Sequence, residues 1–134
     1  MPGYSGAPLI KKLGIKPGVA LYTVDAPREY AAWLGELPDG ARLTSRQPAP
    51  LTAAHVFSTD RAQLKKTLAA LRKKLEPEGF VWVSWPKKTA KLSTTVEEHT
   101  IRELALPLGF VDVKVCAVSE VWSGLKLVIR KSER

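Results

Sequence analysis

Apolar positions fall along this chain in short runs punctuated by Gly and Pro, and two periods take turns. The run Val19 to Val24 is nearly unbroken and of strand length, as a strand buried on both faces of a parallel sheet requires. Ala53 to Phe57 and the aromatic run Phe80 to Trp85 read the same way, the latter as a central strand. Between them Leu64, Leu68, Leu71 and Leu75 recur at spacings of four, three and four, which is one face of a helix. Asp60 stands at its positive end, with Ser58 and Thr59 as alternative caps, and Lys73 and Lys74 at its negative end.

Turn chemistry places the other elements. Ser5 to Leu13 predicts a short helix, with Ser5 as cap, Leu9, Ile10 and Leu13 on one face and Gly14 closing it. Asp25 is a candidate N-cap for a helix carrying Tyr30, Trp33 and Leu34, because Pro27 falls where a missing N–H is harmless. A weak strand is expected around Arg42 to Thr44. Thr94 with Glu97, or Thr95 with Glu98, predicts a capping box for a helix carrying Val96, Ile101, Leu104 and Leu108. Val111 to Val118 and Leu125 to Arg130 have no room between them for a crossover helix, so they must pair antiparallel. Strands alternating with helices predict one α/β domain over residues 1–134: a three-layer, Rossmann-like, mainly parallel sheet ending in an antiparallel hairpin.

Composition narrows the chemistry. Cys116 is the single cysteine and His55 and His99 are the only histidines, so a thiolate or imidazole metal site lacks ligands and no metal is expected. No apolar run approaches the ~20 residues of a membrane helix, and no charged leader precedes an apolar stretch, which makes cytoplasmic the expected location, away from membranes. Lys and Arg number 21 against 13 Asp and Glu, a formal net charge of +8. Such a balance attracts anions, whether nucleic acid, a phosphorylated metabolite or an acidic partner, although solvated helix faces account for most lysines in any globular protein.

The order of parts resembles the S-adenosylmethionine methyltransferase fold, on Leu13 to Val24 leading into a first strand, Leu75 to Trp85 after a helix, and Leu108 to Lys131 as a terminal hairpin. That resemblance implies a glycine-rich loop after the first strand and an acidic residue at the end of the second. Here the first position reads Val24, Asp25, Ala26, Pro27, Arg28 and the second Arg42, Leu43, Thr44, Ser45, Arg46. Side chains stand where bare backbone would meet the cofactor, and no carboxylate awaits its ribose. The expectation is the scaffold without S-adenosylmethionine, and no cofactor is predicted.

Three phrases are similar to those of a family of small bacterial proteins of unknown function: Tyr4-Ser5-Gly6-Ala7-Pro8-Leu9, Val83-Ser84-Trp85-Pro86-Lys87-Lys88, and Val121-Trp122-Ser123-Gly124-Leu125-Lys126. This likeness implies a fold and no activity. In open α/β sheets ligands bind at the carboxyl ends of the parallel strands. Asp25, Trp85, Lys87 and Lys88 follow strands there. Trp122, Ser123 and Lys126 join them if the hairpin takes the methyltransferase order, and a folded-over N-terminal helix would add Tyr4, Ser5, Lys11 and Lys12. Cations, a hydroxyl and flat rings suit a phosphate attached to a ring. The competing reading has the tryptophans as core lids, Lys126 as the exposed residue of an alternating strand and Asp25 as a helix cap.

His55 between Ala54 and Val56 reads as a packed strand residue, His99 as solvated, and Cys116 as an inert buried thiol. No catalytic nucleophile, base and orienting group occur together. Three functions therefore stand: a binding or regulatory module for a small anionic, nucleotide-like ligand; a nucleic-acid-binding protein, for which the recognised motifs are missing; and a divergent methyltransferase.

Overall fold

The computed structural model describes residues 8–134. In chain order run α1 (Leu9–Leu13), β1 (Ala20–Val24), α2 (Tyr30–Leu34), β2 (Arg42–Thr44), β3 (Leu51–Phe57), α3 (Arg61–Lys74), β4 (Leu75–Pro86), α4 (Glu98–Ala105), β5 (Phe110–Ala117) and β6 (Trp122–Ile129). The six strands make one sheet in the order β2-β1-β3-β4-β6-β5. Strands β2, β1, β3 and β4 are parallel, whereas β6 is antiparallel to both β4 and β5. The α/β class, the mainly parallel sheet and the closing hairpin expected from the sequence are all present.

Helices cover both faces. On one, Leu64, Leu68 and Leu71 of α3 and Ile101 and Leu104 of α4 pack on Val56, Val81, Val83, Leu125 and Leu127. Each such leucine contributes about 1.5–3 kcal/mol by leaving water. On the other, Leu9 and Leu13 of α1 and Tyr30 and Leu34 of α2 pack on Leu21, Ala53, Phe57 and Trp82. The buried Trp82 indole donates to the Leu13 carbonyl at 2.9 Å, which fastens the end of α1 to β4. Gly14 then closes α1 in the left-handed region at φ 76.

Several local expectations need correction. The described part of the first helix begins at Leu9 behind Pro8, and the Ser5 cap lies outside the described residues. Asp25 caps no helix: it sits at φ 55, directly after β1, and α2 begins only at Tyr30 behind Glu29. Strand β1 is half-buried apart from Leu21: Leu21 packs under α1 and α2, whereas Tyr22 and Val24, on the α3 face, are only partly covered. At α4 the N-cap is Glu97, whose N–H donates to Thr100 Oγ1 at 3.1 Å. Thr94 and Thr95 are drawn instead to the Thr59 carbonyl, which accepts from the Thr95 N–H at 2.9 Å.

Candidate functional site

The sheet order reverses between β1 and β3: from β1 the chain moves outward to β2, and from β3 it moves the other way to β4. Two helices diverging from such a point leave a crevice at the carboxyl ends of the strands. A cavity of about 240 Å³ lies there, lined by Val24 and Asp25 at the end of β1, Val56, Phe57, Ser58 and Thr59 at the end of β3, Gln63 and Thr67 from α3, and Trp122 from β6.

Local structure explains why these side chains gather. Asp25 is a rare non-glycine residue at positive φ, a conformation that Asp tolerates better than most. It turns the chain sharply off the end of β1 and leaves its carboxylate exposed at the crevice. Ser58 continues the β3–β4 ladder by donating its N–H to the Ser84 carbonyl at 3.0 Å. Asp60 caps α3, its Oδ1 accepting from the Ala62 N–H at 3.0 Å. The capped turn holds α3 so that Gln63 and Thr67 look into the crevice. Trp122 opens β6, half-buried, with its ring edge-on to Phe57 at a centroid distance of 5.2 Å.

Across the first turn of α3 lies a wider, open cavity of about 900 Å³, between the end of β4 and α4. Trp85 floors it, and Arg61, Lys87, Lys88, Glu97 and Glu103 stand on its walls. Most of this charge is already paired: Lys88 with Glu97 at 3.4 Å and Arg61 with Glu103 at 3.5 Å. Among the described residues Lys87 makes no ion pair, while its N–H donates to the Val121 carbonyl at 2.8 Å.

The eleven residues singled out from the sequence therefore divide. Asp25 and Trp122 line the smaller cavity, and Trp85, Lys87 and Lys88 the larger. Ser123 is half-buried opposite Trp85 and Ala117 and is not among the residues lining either. Lys126 lies mid-strand on the α1 face, its Nζ 4.8 Å above the Phe80 ring. Lys11 and Lys12 belong to α1, the first exposed and the second half-buried. Tyr4 and Ser5 lie outside the described residues. Trp85 and Trp122 flank the same edge but occupy opposite faces of the sheet, so no single pocket holds both.

Sequence reasoning missed a buried polar chain beneath the smaller cavity. His55, fully buried, stacks on Phe57 at 4.2 Å; Tyr30 Oη lies 2.6 Å from its Nδ1 and Ser84 Oγ 2.7 Å from its Nε2. Burial lowers the His55 pKa from 6.5 to about 3, so the ring is neutral at physiological pH. Burial raises the Tyr30 phenol far above the tyrosine range, with the Cys116 thiol adding to the shift. Its only sequence trace is that His55 shares strand parity with Ala53 and Phe57 on a face that α2 covers. Among the described residues no cluster of three or more His, Cys, Asp or Glu could hold a metal, and no helix is long and apolar enough to cross a membrane.

No curated protein matches the sequence. Solved structures do match the fold. A protein described as a type 11 methyltransferase from Sulfolobus solfataricus is 15% identical, with a TM-score of 0.65 over 94% of this chain and 92% of that one. A SAM dependent methyltransferase from Aquifex aeolicus is 13% identical, with a TM-score of 0.61 over 90% of this chain and 87% of that one. LepI in complex with SAM is 16% identical with a TM-score of 0.51; 91% of this chain is covered, but only 39% of LepI. At these identities the likeness is one of fold. The expectation against S-adenosylmethionine is not borne out by such neighbours, and the cofactor stays a candidate ligand. Residues 55–131 match the family described as "Protein of unknown function (DUF3052)", a span from His55 to just past β6 that exceeds half of the chain, and the chain belongs to that family.

Proposed function

We infer that this chain is a non-catalytic binding module that holds a small, nucleotide-like or phosphorylated ligand at the carboxyl edge of its sheet. The observation that carries this reading is the cavity at the point where strand order reverses, where a carboxylate, three hydroxyls, an amide and an indole converge. Asp25, Ser58, Thr59 and Gln63 suit the hydroxyls and ring nitrogens of a sugar or base, and Trp122 offers a flat face. Lys87, beyond the first turn of α3, supplies the unpaired cation for an anionic group. The non-catalytic part of the reading rests on His55, a neutral imidazole enclosed between two hydroxyls and a phenyl ring, without access to a substrate.

A thermal-shift screen with nucleotides and phosphorylated metabolites tests it. A ligand at 100 times its dissociation constant stabilises by ~2.7 kcal/mol, and that rise should shrink in Trp122→Ala. No response to any member of either class sinks the reading.

The strand order favours a second reading, a divergent methyltransferase. Against it, the β1 turn offers Asp25 and Pro27 where that fold's cofactor takes bare backbone, and Thr44 at the end of β2 spends its hydroxyl on the Arg46 N–H at 3.1 Å. Titration calorimetry separates the two: heat on adding S-adenosylmethionine supports the second, and its absence at millimolar cofactor removes it.

A further inference from the structure

We propose that Lys114 and Lys126, joined by Lys16, form a binding site for a phosphate-class oxyanion on the α1 face of the β5–β6 hairpin, away from both carboxyl-edge cavities. Lys114 and Lys126 are register partners in adjacent antiparallel strands, so their side chains rise side by side from one face. Like charges placed directly opposite one another are destabilising, so a counter-charge seated between them would relieve the pair.

A backbone irregularity creates this pairing. Asp112 pairs with Leu127, and an even ladder would then set Val113 opposite Lys126; instead the register shifts by one residue and Lys114 takes that position. Bulges of this kind re-aim a side chain at the cost of one ladder step. Here the residue re-aimed is a second cation towards a first.

The first cation is held in place. Lys126 Nζ sits 4.8 Å above the Phe80 ring, a cation–π contact, and 3.7 Å from the point where a Cβ on Gly14 would be. Gly14 leads within two residues to Lys16, which brings the third charge. Burial first, then Lys114 and Lys16, pushes the Lys126 pKa below the ordinary lysine value. Among the described residues Lys16, Lys114 and Lys126 make no ion pair, and residues 1–7 contain no Asp or Glu. An oxyanion with several acceptor oxygens would answer all three ammonium groups together.

The test is thermal unfolding of the full chain at fixed ionic strength, with inorganic phosphate replacing chloride, in wild type, Lys126→Met and Lys114→Gln. Met keeps most of the apolar stem over Phe80, and Lys114 is exposed, so both variants should fold. The expected result is a phosphate-dependent rise of roughly 5 °C or more in wild type that is lost in both variants. Parallel rises in all three proteins would be the general effect of an excluded salt and would overturn the proposal. Glycerol phosphate as a second probe separates the sources: a larger response than to phosphate assigns a phosphomonoester, an equal one the free ion. Binding of single-stranded DNA that depends on Lys126, with no differential response to phosphate, would replace this site by a polyanion surface and overturn it as stated. Lys114 and Lys126 line neither carboxyl-edge cavity, so the outcome is independent of the binding reading above.

Discussion

Tyr30 Oη and His55 Nδ1 meet at 2.6 Å inside the core, so a single hydrogen bond ties α2 to β3 beneath the crevice. Two links, Tyr30 to His55 and His55 to Ser84, join three groups that together carry three exchangeable hydrogens once the ring is neutral. Tyr30→Phe would leave a ring nitrogen buried without a partner. The expected cost is about 1–3 kcal/mol, read as a lower midpoint in urea unfolding with an unchanged slope. Ser84→Ala should cost a similar amount, and the double variant less than the sum, since both act on one imidazole.

The same ring sets a pH dependence. Burial holds the folded-state pKa of His55 to about 3, against 6.5 as its ordinary value. Between these limits the unfolded chain binds a proton that the folded protein does not. Stability is therefore complete above about pH 6.5 and falls as pH drops towards about 3, by at most ~1.4 kcal/mol per pH unit from this group. Urea melts between pH 5.0 and 6.5 avoid most carboxylate titration. The slope there should flatten in His55→Gln, and a slope equal to that of wild type would mean that the imidazole is not sealed.

The fold was legible because its signals are redundant. Leu64, Leu68 and Leu71 fix α3, Gly14 and Gly109 end what precedes them, and a link too short for a helix compels β5 and β6 to pair antiparallel. The candidate site was legible only as an edge. Strand β4 is buried on both faces, so its sequence carries no alternation to say which way Trp85 points. That depends on register: Ser123, not Trp122, stands opposite Trp85, and a slip of one residue would have set both tryptophans on one face. Register between β4 and β6 is a long-range property, decided by the packing of Leu125 and Leu127 under α3 and α4. The Lys114–Lys126 pair was hidden for the same reason, since a bulge at Val113 has no mark in the sequence.

Gly79 tests the irregular entry into β4. A Cβ there would stand 2.6 Å from Leu75 Cδ1 and 2.8 Å from the Thr52 carbonyl oxygen. The leucine could move, but the carbonyl belongs to β3 and cannot without opening the ladder. Gly79→Ala should therefore destabilise by about 1–3 kcal/mol, measured by urea or thermal unfolding. A wild-type midpoint would show that β4 enters the sheet differently.

Asp25 lets backbone strain and ligand contact be separated in one position. Its φ of 55 suits glycine better than any L-residue, so Asp25→Gly removes a modest conformational penalty while adding freedom to the unfolded chain. These effects oppose each other, and the net change in stability should be within about 1 kcal/mol. Asp25→Val, β-branched at positive φ, should cost clearly more than Asp25→Gly. Both lack the carboxylate at the crevice, so both should lose the thermal shift given by whichever screened ligand stabilises wild type. If Asp25→Gly keeps that shift, the carboxylate does not touch the ligand and the crevice is not where it binds. If Asp25→Gly is itself destabilised by several kcal/mol, the carboxylate is a structural anchor and the turn after β1 has been read wrongly.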